Sequence, residues 1–316
     1  MYDILCSSQR ESYQFYKGDI VNDQALRLRE LVEQQKRGES THIGGLEANQ
    51  SPRVIAVTSG KGGVGKTSFT INLGIAISQR GKRVLILDAD LGMANVNVAL
   101  GLPARYNIFD VILGRKTLRE IIVESPGGIL VVPGGSGIAE LAYIGHVQRQ
   151  RLLEQFSTLG DIADIILIDT AAGLSKNVLA FAAAADSVIV ITIPEPPAIA
   201  DAYAIMKAVL RQRPKAEVNL VVNRILRPSE GRAVFDKLAL VVKRFLGKRI
   251  ESLGAIDDDP HVSEAVRSQK ALLLKFPDAP ASKAIKAMVS NLFVELKPDD
   301  GGIMGFLKRL GNLLSG

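Results

Sequence analysis

Apolar runs of strand length alternate with segments of helical periodicity along most of the chain. The strand-like runs are short and rich in β-branched residues, as is typical of strands buried in a parallel sheet. They cover 53–58, 84–88, 129–132, 165–169, 187–193 and 218–223. Helical segments are predicted between them at 67–77, 148–159, 176–185, 199–211 and 231–246. The alternation predicts an α/β fold, a doubly wound and mostly parallel sheet with helices on both faces.

The two ends of the chain depart from this alternation. Residues 1–50 are polar with few aliphatic positions, which predicts a flexible N-terminal arm. Residues 23–35 of the arm have the periodicity of one helix, too short to be stable alone, so we expect it to fold on a partner. The α/β domain is expected over 51–297, and residues 298–316 are expected to form a linker and a C-terminal amphipathic helix.

The composition is that of an ordinary globular protein of 316 residues, with 47% hydrophobic and 23% charged positions. A single cysteine cannot form an internal disulfide, and three scattered histidines offer no metal-ligand spacing. There is no secretory signal, and no apolar run reaches the roughly 18 residues that a membrane span needs. We therefore expect a cytoplasmic protein.

The formal net charge is +6, which permits contact with nucleic acid or anionic lipid without requiring either. Two basic clusters contribute, and we interpret both as solvated helix ends. With no base-stacking pattern of interleaved aromatic residues, we expect no direct nucleic-acid partner. The clusters comprise Arg211, Arg213 and Lys215, and Lys243, Arg244, Lys248 and Arg249.

A glycine-rich segment follows the first predicted strand. It reads Gly-Lys-Gly-Gly-Val-Gly-Lys-Thr and fits the pattern G-x-x-x-x-G-K-[ST] between a strand and a helix. In such a loop, backbone N–H groups and the helix N-terminus face phosphate oxygens. The pattern predicts a nucleoside-triphosphate site; the alternative is a glycine-rich turn with a chance lysine. The candidate ligands are Gly60, Lys61, Gly62, Gly63, Val64, Gly65, Lys66, Thr67 and Ser68.

Three carboxylates follow apolar strands. Asp88 and Asp90 come after one run and Asp169 ends another. Ligands of doubly wound sheets bind beyond the carboxyl ends of the strands. We therefore expect Mg²⁺ to be held by Thr67 directly and by Asp88 and Asp169 partly through water. Asp90 begins a loop and is the candidate that orients attacking water; the alternative for each aspartate is a helix cap or turn residue.

The extra lysine of the glycine-rich loop, Lys61, cannot easily reach phosphates that its own loop and Lys66 already hold. Across a two-fold dimer it could reach the partner's phosphates, like an arginine finger supplied in trans. The residue predicts hydrolysis that depends on dimerisation.

Several segments resemble the deviant Walker A ATPases of the MinD/ParA group, and within that group the FlhG family, also called FleN or YlxH. The superfamily resemblance rests on the motif with Lys61, on residues 88–97 and on residues 168–173. The family resemblance rests on Asp23-Gln24-Ala25-x-x-Leu28-Arg29, on residues 201–205 and on residues 230–232. The ATPase likeness covers 53 to about 296.

The resemblance implies an ATPase that uses ATP and Mg²⁺. It makes Lys61 the signature lysine, Lys66 the ligand of the β- and γ-phosphates, and Asp90 the residue that orients water. Thr67 then binds Mg²⁺, and Asp169 holds it through water. Asn223 and Arg224 match the adenine site, and residues 194–195 and 257–259 are further candidates there.

The resemblance also implies control of flagellar number and placement by a protein that forms a homodimer with ATP. The arm motif would stimulate a GTPase of the FlhF type through Asp23, Gln24, Ala25, Leu28 and Arg29. Some relatives also contact flagellar switch components or a transcription regulator, which the sequence leaves open.

The C-terminal segment predicts an amphipathic helix with Lys308 and Arg309 opposite its apolar face. At about 12 residues it cannot span a bilayer but can lie in the interface, and two copies on a dimer bind better than one. It resembles the membrane-targeting helix of MinD, which implies reversible association with the anionic inner membrane. The alternative is a helix packed on its own domain, and both hold if it docks in the ATP-free monomer. The apolar face comprises Ile303, Phe306, Leu307, Leu310, Leu313 and Leu314.

Two other functions stay open. A MinD-like adaptor that positions division components is disfavoured by the arm, and a ParA-like DNA-segregating ATPase is disfavoured by the amphipathic terminal helix. An iron–sulfur carrier of the same superfamily needs cluster-ligating cysteines, and one cysteine cannot supply them.

Overall fold

The computed structural model describes residues 51–90, 95–135, 146–295 and 302–315. The arm lies outside these residues, so the prediction that Asp23, Gln24, Ala25, Leu28 and Arg29 bind a partner stays a prediction. No helix in the described ranges is long and apolar enough to cross a membrane.

An eight-stranded sheet forms the centre of the fold, in the order β3-β4-β2-β5-β1-β6-β7-β8. Every neighbouring pair is parallel except β3 and β4. The doubly wound, mostly parallel sheet is thus confirmed. The strands are β1 Arg53–Ser59, β2 Val84–Ala89, β3 Val123–Ser125, β4 Ile129–Val132, β5 Ile165–Ala172, β6 Ser187–Thr192, β7 Glu217–Ile225 and β8 Glu251–Asp257.

Helices cover both faces of the sheet, and all the helices predicted within the domain are confirmed. One face carries α1 and α9–α11, and the other carries α3–α8 and α12. The helices are α1 Lys66–Ser78, α2 Asn95–Ala99, α3 Ile108–Ile112, α4 Leu118–Ile121, α5 His146–Ser157, α6 Lys176–Ala184, α7 Pro196–Gln212, α8 Pro228–Leu246, α9 Pro260–Arg267, α10 Leu272–Lys275, α11 Pro280–Glu295 and α12 Gly302–Ser315.

Apart from α11, which has 16 residues, the elements that the sequence pattern did not predict are short or interrupted. Helices α3 and α4 are little more than one turn each and begin at capping boxes, Asn107 with Asp110 and Thr117 with Glu120. Strand β8 contains Gly254, and β3 has three residues. Hydrophobic periodicity needs a longer window than these elements offer.

The C-terminal helix α12 packs on its own domain, mainly against α6 and α5. Its apolar face is buried: the Phe306 ring centroid lies 6.2 Å from that of Phe181, and Leu313 is partly buried. The docked arrangement is therefore the one that the structure describes. The buried residues of this face are Ile303, Phe306, Leu307, Leu310 and Leu314.

The prediction that Arg309 lies opposite the apolar face is wrong. Its Nε donates to the Ala184 carbonyl at 2.7 Å, and its Nη2 lies 2.6 Å from Asp186 Oδ1. Because Arg309 follows Phe306 by three residues, it borders the buried face, and its long side chain reaches the domain. Lys308 is exposed, as expected.

Candidate functional site

The glycine-rich loop lies between the carboxyl end of β1 and the start of α1. Gly63 and Gly65 have φ of 78° and 90°, in the left-handed region that favours glycine. A Cβ at Gly62 or Gly63 would meet open space, and both residues line a pocket of about 660 Å³. The loop therefore has room for a phosphate chain against its backbone.

Lys66, Thr67 and Asp169 form one network at the floor of this pocket. Lys66 Nζ lies 2.9 Å from Asp169 Oδ1, and Thr67 Oγ1 donates to Asp169 Oδ2 at 2.6 Å. Thr70 Oγ1 donates to the same carboxylate at 3.0 Å. Asp169 is fully buried within β5, three residues before the strand ends, and its charge is compensated by Lys66 and by two hydroxyl donors.

The residues of this network fit a Mg²⁺ ion. A threonine hydroxyl and a carboxylate are the hard oxygen ligands that Mg²⁺ prefers. When bound, the ion would neutralise part of the negative charge of the phosphates. The Lys66 ammonium group can then replace its contact with the Asp169 carboxylate by a contact with a phosphate oxygen in the same pocket.

Asp88 pairs with Asp169 in the parallel register of β2 and β5 and is fully buried. Its carboxylate accepts hydrogen bonds from the backbone N–H groups of Asp90, Asn95 and Val96, at 3.1, 2.8 and 3.1 Å. Burial raises the pKa of Asp88 to about 6, the charge of Asp169 adds to the rise, and the N–H groups oppose it. Asp88 thus caps α2, and its contact with Mg²⁺ through water stays a prediction.

Asp90 lines the 660 Å³ pocket together with Lys66 and Thr67. Asn95 Nδ2 donates to Asp90 Oδ2 at 2.7 Å, which fixes the carboxylate at the start of its loop. This position allows Asp90 to hold a water molecule beside a bound phosphate. Asn95 was not predicted as a site residue, because the signal was confined to the aspartates before it.

Lys61 is held by a residue of another loop. Its Nζ lies 2.9 Å from Glu195 Oε2, and the two side chains are 43% and 54% exposed. Lys61 is not among the described residues that line the 660 Å³ pocket. Glu195, a candidate for the base site, is thus engaged with Lys61 instead.

A second pocket of about 240 Å³ adjoins the first and shares Gly65 and Ser68 with it. Asn223 Nδ2 donates to the Val64 carbonyl at 2.7 Å and thereby joins the end of β7 to the glycine-rich loop. Arg224 has φ of 54°, a strained value for a residue with a side chain. Both residues line the pocket with 257–259, and their contact with the base stays a prediction.

Apart from Phe69 of α1, the apolar walls of the second pocket come from elements that the sequence pattern did not predict. Four side chains from β8 and the helices after it face the pocket, which suits a flat heteroaromatic base. One sequence signal was present, because an Asp-Pro pair lies at the start of α9. The apolar pattern of this helix, however, was too short to predict where it packs. The four residues are Ile256, Val262, Leu272 and Ile285.

The comparisons with known proteins agree with this geometry. A family model described as an AAA domain matches residues 52–222. Antiactivator FleN of Pseudomonas aeruginosa is 41% identical over 240 residues, covering 76% of this chain and 86% of that protein. Flagellum site-determining protein YlxH of Helicobacter pylori is 35% identical over 266 residues, covering 82% and 89%.

Among solved structures, a chain of the MinC:MinD cell division protein complex of Aquifex aeolicus superposes with a TM-score of 0.63 at 27% identity. It covers 78% of this chain and 98% of that chain. Fold and site together define a P-loop ATPase of the MinD/ParA type. The identity to FleN and YlxH narrows the class, and the chain belongs to the FleN/YlxH family of MinD-like ATPases.

Proposed function

We propose that this protein is an ATP-driven dimerisation switch that regulates flagellar number or placement. The flagellar part is supported by its relatives, a flagellum site-determining protein and an antiactivator. The switch part is supported by the site, because Lys61 is paired with Glu195 and does not line the 660 Å³ pocket. The lysine is therefore available to change its partner when a nucleotide binds.

In this proposal the glycine-rich loop and Lys66 bind the phosphates of ATP, and Thr67 ligates Mg²⁺ with Asp88 and Asp169 acting through water. Asp90, held by Asn95, orients the attacking water. The base enters the 240 Å³ pocket beside Asn223 and Arg224.

The position of Lys61 carries the dimerisation proposal. The side chain is half-exposed and paired with Glu195, so it is available to a second molecule at the cost of one exposed ion pair. Such a pair is worth about 0–1 kcal/mol, which a phosphate of ATP readily exceeds as a partner. Two subunits would then complete each other's pockets.

The docked α12 supports regulated membrane association. Its apolar face is buried on the domain, so it is not available to lipid until the helix leaves. We propose that dimerisation with ATP releases it to an anionic membrane, and that hydrolysis returns it. The arm would act separately, by stimulating a GTPase of the FlhF type through its Asp23 to Arg29 motif.

The experiment is the molar mass in solution with ADP and with ATP, combined with turnover. Asp90→Ala should accumulate an ATP dimer that does not turn over, and Lys61→Ala should bind ATP as a monomer with turnover near background. Lys237→Ala, at an exposed lysine of α8 in the same domain, is the control and should behave as wild type. Full dimerisation and turnover of Lys61→Ala would contradict the proposal.

A further inference from the structure

The edge of the sheet opposite the nucleotide site is rich in cations. All strands but β3 run parallel, so each crossover connection from a helix into one of these parallel strands ends at the same edge of the sheet. We call it the amino edge, because the strands begin there. Three of these crossovers are basic: 79–83 before β2, 211–216 before β7 and 243–250 before β8. The interpretation of these clusters as unrelated helix ends therefore changes, since the topology brings them to one edge.

Contacts join this edge to the docking site of α12. Arg213 donates to the Ala185 carbonyl, and Arg309 of α12 bonds to Ala184 and Asp186 on either side of it. The first residue of α12, Gly302, lies against Ser51 just before β1. The terminal helix thus starts at the amino edge and is held beside its basic residues.

Five cations in the two crossovers after α7 and α8 carry uncompensated charge. They are exposed, and none forms an ion pair with any residue that the structure describes, in contrast to Arg83, which lies 2.7 Å from Asp164. The five come from the crossovers after α7 and α8: Arg211, Lys215, Lys243, Arg244 and Arg249.

An aromatic ring projects among these cations. Phe245 at the end of α8 is 68% exposed, with the Arg244 guanidinium carbon 5.9 Å from its ring centroid. Leu240, 64% exposed, lies five residues earlier on the same helix. Exposed apolar side chains between cations fit the boundary of headgroups and acyl chains. They gain less from duplex DNA, whose bases are stacked inside the helix.

We propose that the amino edge is a second membrane-binding surface, which contacts anionic lipid headgroups through the five cations and inserts Phe245 at the acyl boundary. The inference rests on the membrane association proposed above and adds a second contact surface, on the domain itself, to it. A short helix with few cations binds weakly, and stable anchoring takes two signals. Each basic residue near an anionic surface strengthens binding about fivefold.

The test measures flotation of the full-length protein with ATP and Mg²⁺ on vesicles. One set is pure phosphatidylcholine, and the other contains one-third phosphatidylglycerol. Lys243→Glu/Arg244→Glu should weaken binding to the anionic vesicles at least tenfold and flatten its dependence on salt. Phe245→Ser should weaken it about threefold. The dimer and the ATP turnover should stay as in wild type.

Arg232→Glu/Lys237→Glu is the matched control, because it makes the same change of charge on exposed positions of α8 farther from the edge. It should weaken binding less than threefold. Equal losses in both variants, or unchanged binding of Lys243→Glu/Arg244→Glu, would overturn the inference.

A variant of α12 separates this inference from the helix proposal. Phe306→Ser/Leu310→Ser in the full-length chain should keep weak, salt-sensitive binding to anionic vesicles. If that residual binding is absent and the edge variant binds normally, the helix acts alone. If this variant binds as wild type and the edge variant does not, the edge acts alone. Duplex DNA binding that the edge variant loses, with vesicle binding intact, would assign the surface to nucleic acid instead.

Discussion

Arg309 of α12 and Asp186 at the start of β6 form an ion pair across the docking interface, with Nη2 2.6 Å from Oδ1. The other oxygen of Asp186 accepts a hydrogen bond from the Val54 amide at 2.9 Å. Val54 belongs to the strand that leads directly into the glycine-rich loop. The carboxylate therefore joins the terminal helix to the strand beneath the nucleotide site.

Replacing Arg309 should loosen α12. Arg309→Ala removes the cation from the buried Asp186 carboxylate and a donor from the Ala184 carbonyl, which costs about 1.5–3 kcal/mol of docking free energy. We expect faster hydrogen exchange of the α12 amides and stronger vesicle binding without nucleotide. Lys308→Ala, which changes an exposed neighbour, should leave the exchange unchanged and should not strengthen vesicle binding. Equal exchange in the two variants would show that the ion pair does not hold the helix.

Lys66 should stabilise the nucleotide-free fold as well as bind phosphate. Lys66→Ala leaves Asp169 buried without its cation, and breaking a buried pair in this way costs about 3–5 kcal/mol. We expect a lower midpoint of urea unfolding without nucleotide. Lys66→Ala/Asp169→Asn should recover part of that loss, because the uncompensated charge is gone. A double variant less stable than Lys66→Ala would contradict the pairing.

Asp88 should make the folded state less stable as pH rises. Its pKa is raised to about 6 in the folded chain, against about 4 when unfolded. The folded state thus binds more protons between these values, so this group's contribution falls as pH rises from about 4 to 6 and is constant above.

The comparison with Asp88→Asn isolates this contribution from other carboxylates. The substituted side chain stays neutral at every pH. The free energy of unfolding of the variant, relative to that of wild type, should therefore increase by at most about 3 kcal/mol between pH 4 and 7. Urea unfolding of both proteins across this range measures the difference. A difference that is independent of pH would mean that Asp88 titrates normally.

The 240 Å³ pocket should hold the base and not the phosphates. Val262→Trp fills it with an indole ring, and we expect ATP affinity to fall at least tenfold while inorganic tripolyphosphate binds as before. Leu274→Trp, at an exposed position of α10, is the control. Calorimetric titration measures both ligands, and parallel losses for them would place the base elsewhere.

The phosphate half of the site was predictable because its signals are local. Residues 60–67 are contiguous, and a glycine that must adopt positive φ shows itself in the sequence, as at Gly63 and Gly65. The three aspartates lie in or directly after strands whose apolar runs are clear in the sequence. Parallel pairing then places Asp88 beside Asp169 by a general rule of sheets.

The base half was only partly predictable. Asn223 and Arg224 follow a clear strand, but Ile256, Val262 and Leu272 belong to short elements without a readable period. The Lys61–Glu195 pair joins residues 134 positions apart, and no local pattern reports such a pair.

Local hydrophobic periodicity was enough to define the doubly wound sheet, the phosphate-binding loop and an amphipathic helix at the C-terminus, since each depends on neighbours a few residues away. Where that helix rests, and that Arg309 turns toward Asp186, depended on which apolar groove the assembled domain leaves open. Burial of surface is a property of the whole packed molecule, and for that reason only the three-dimensional arrangement could decide it.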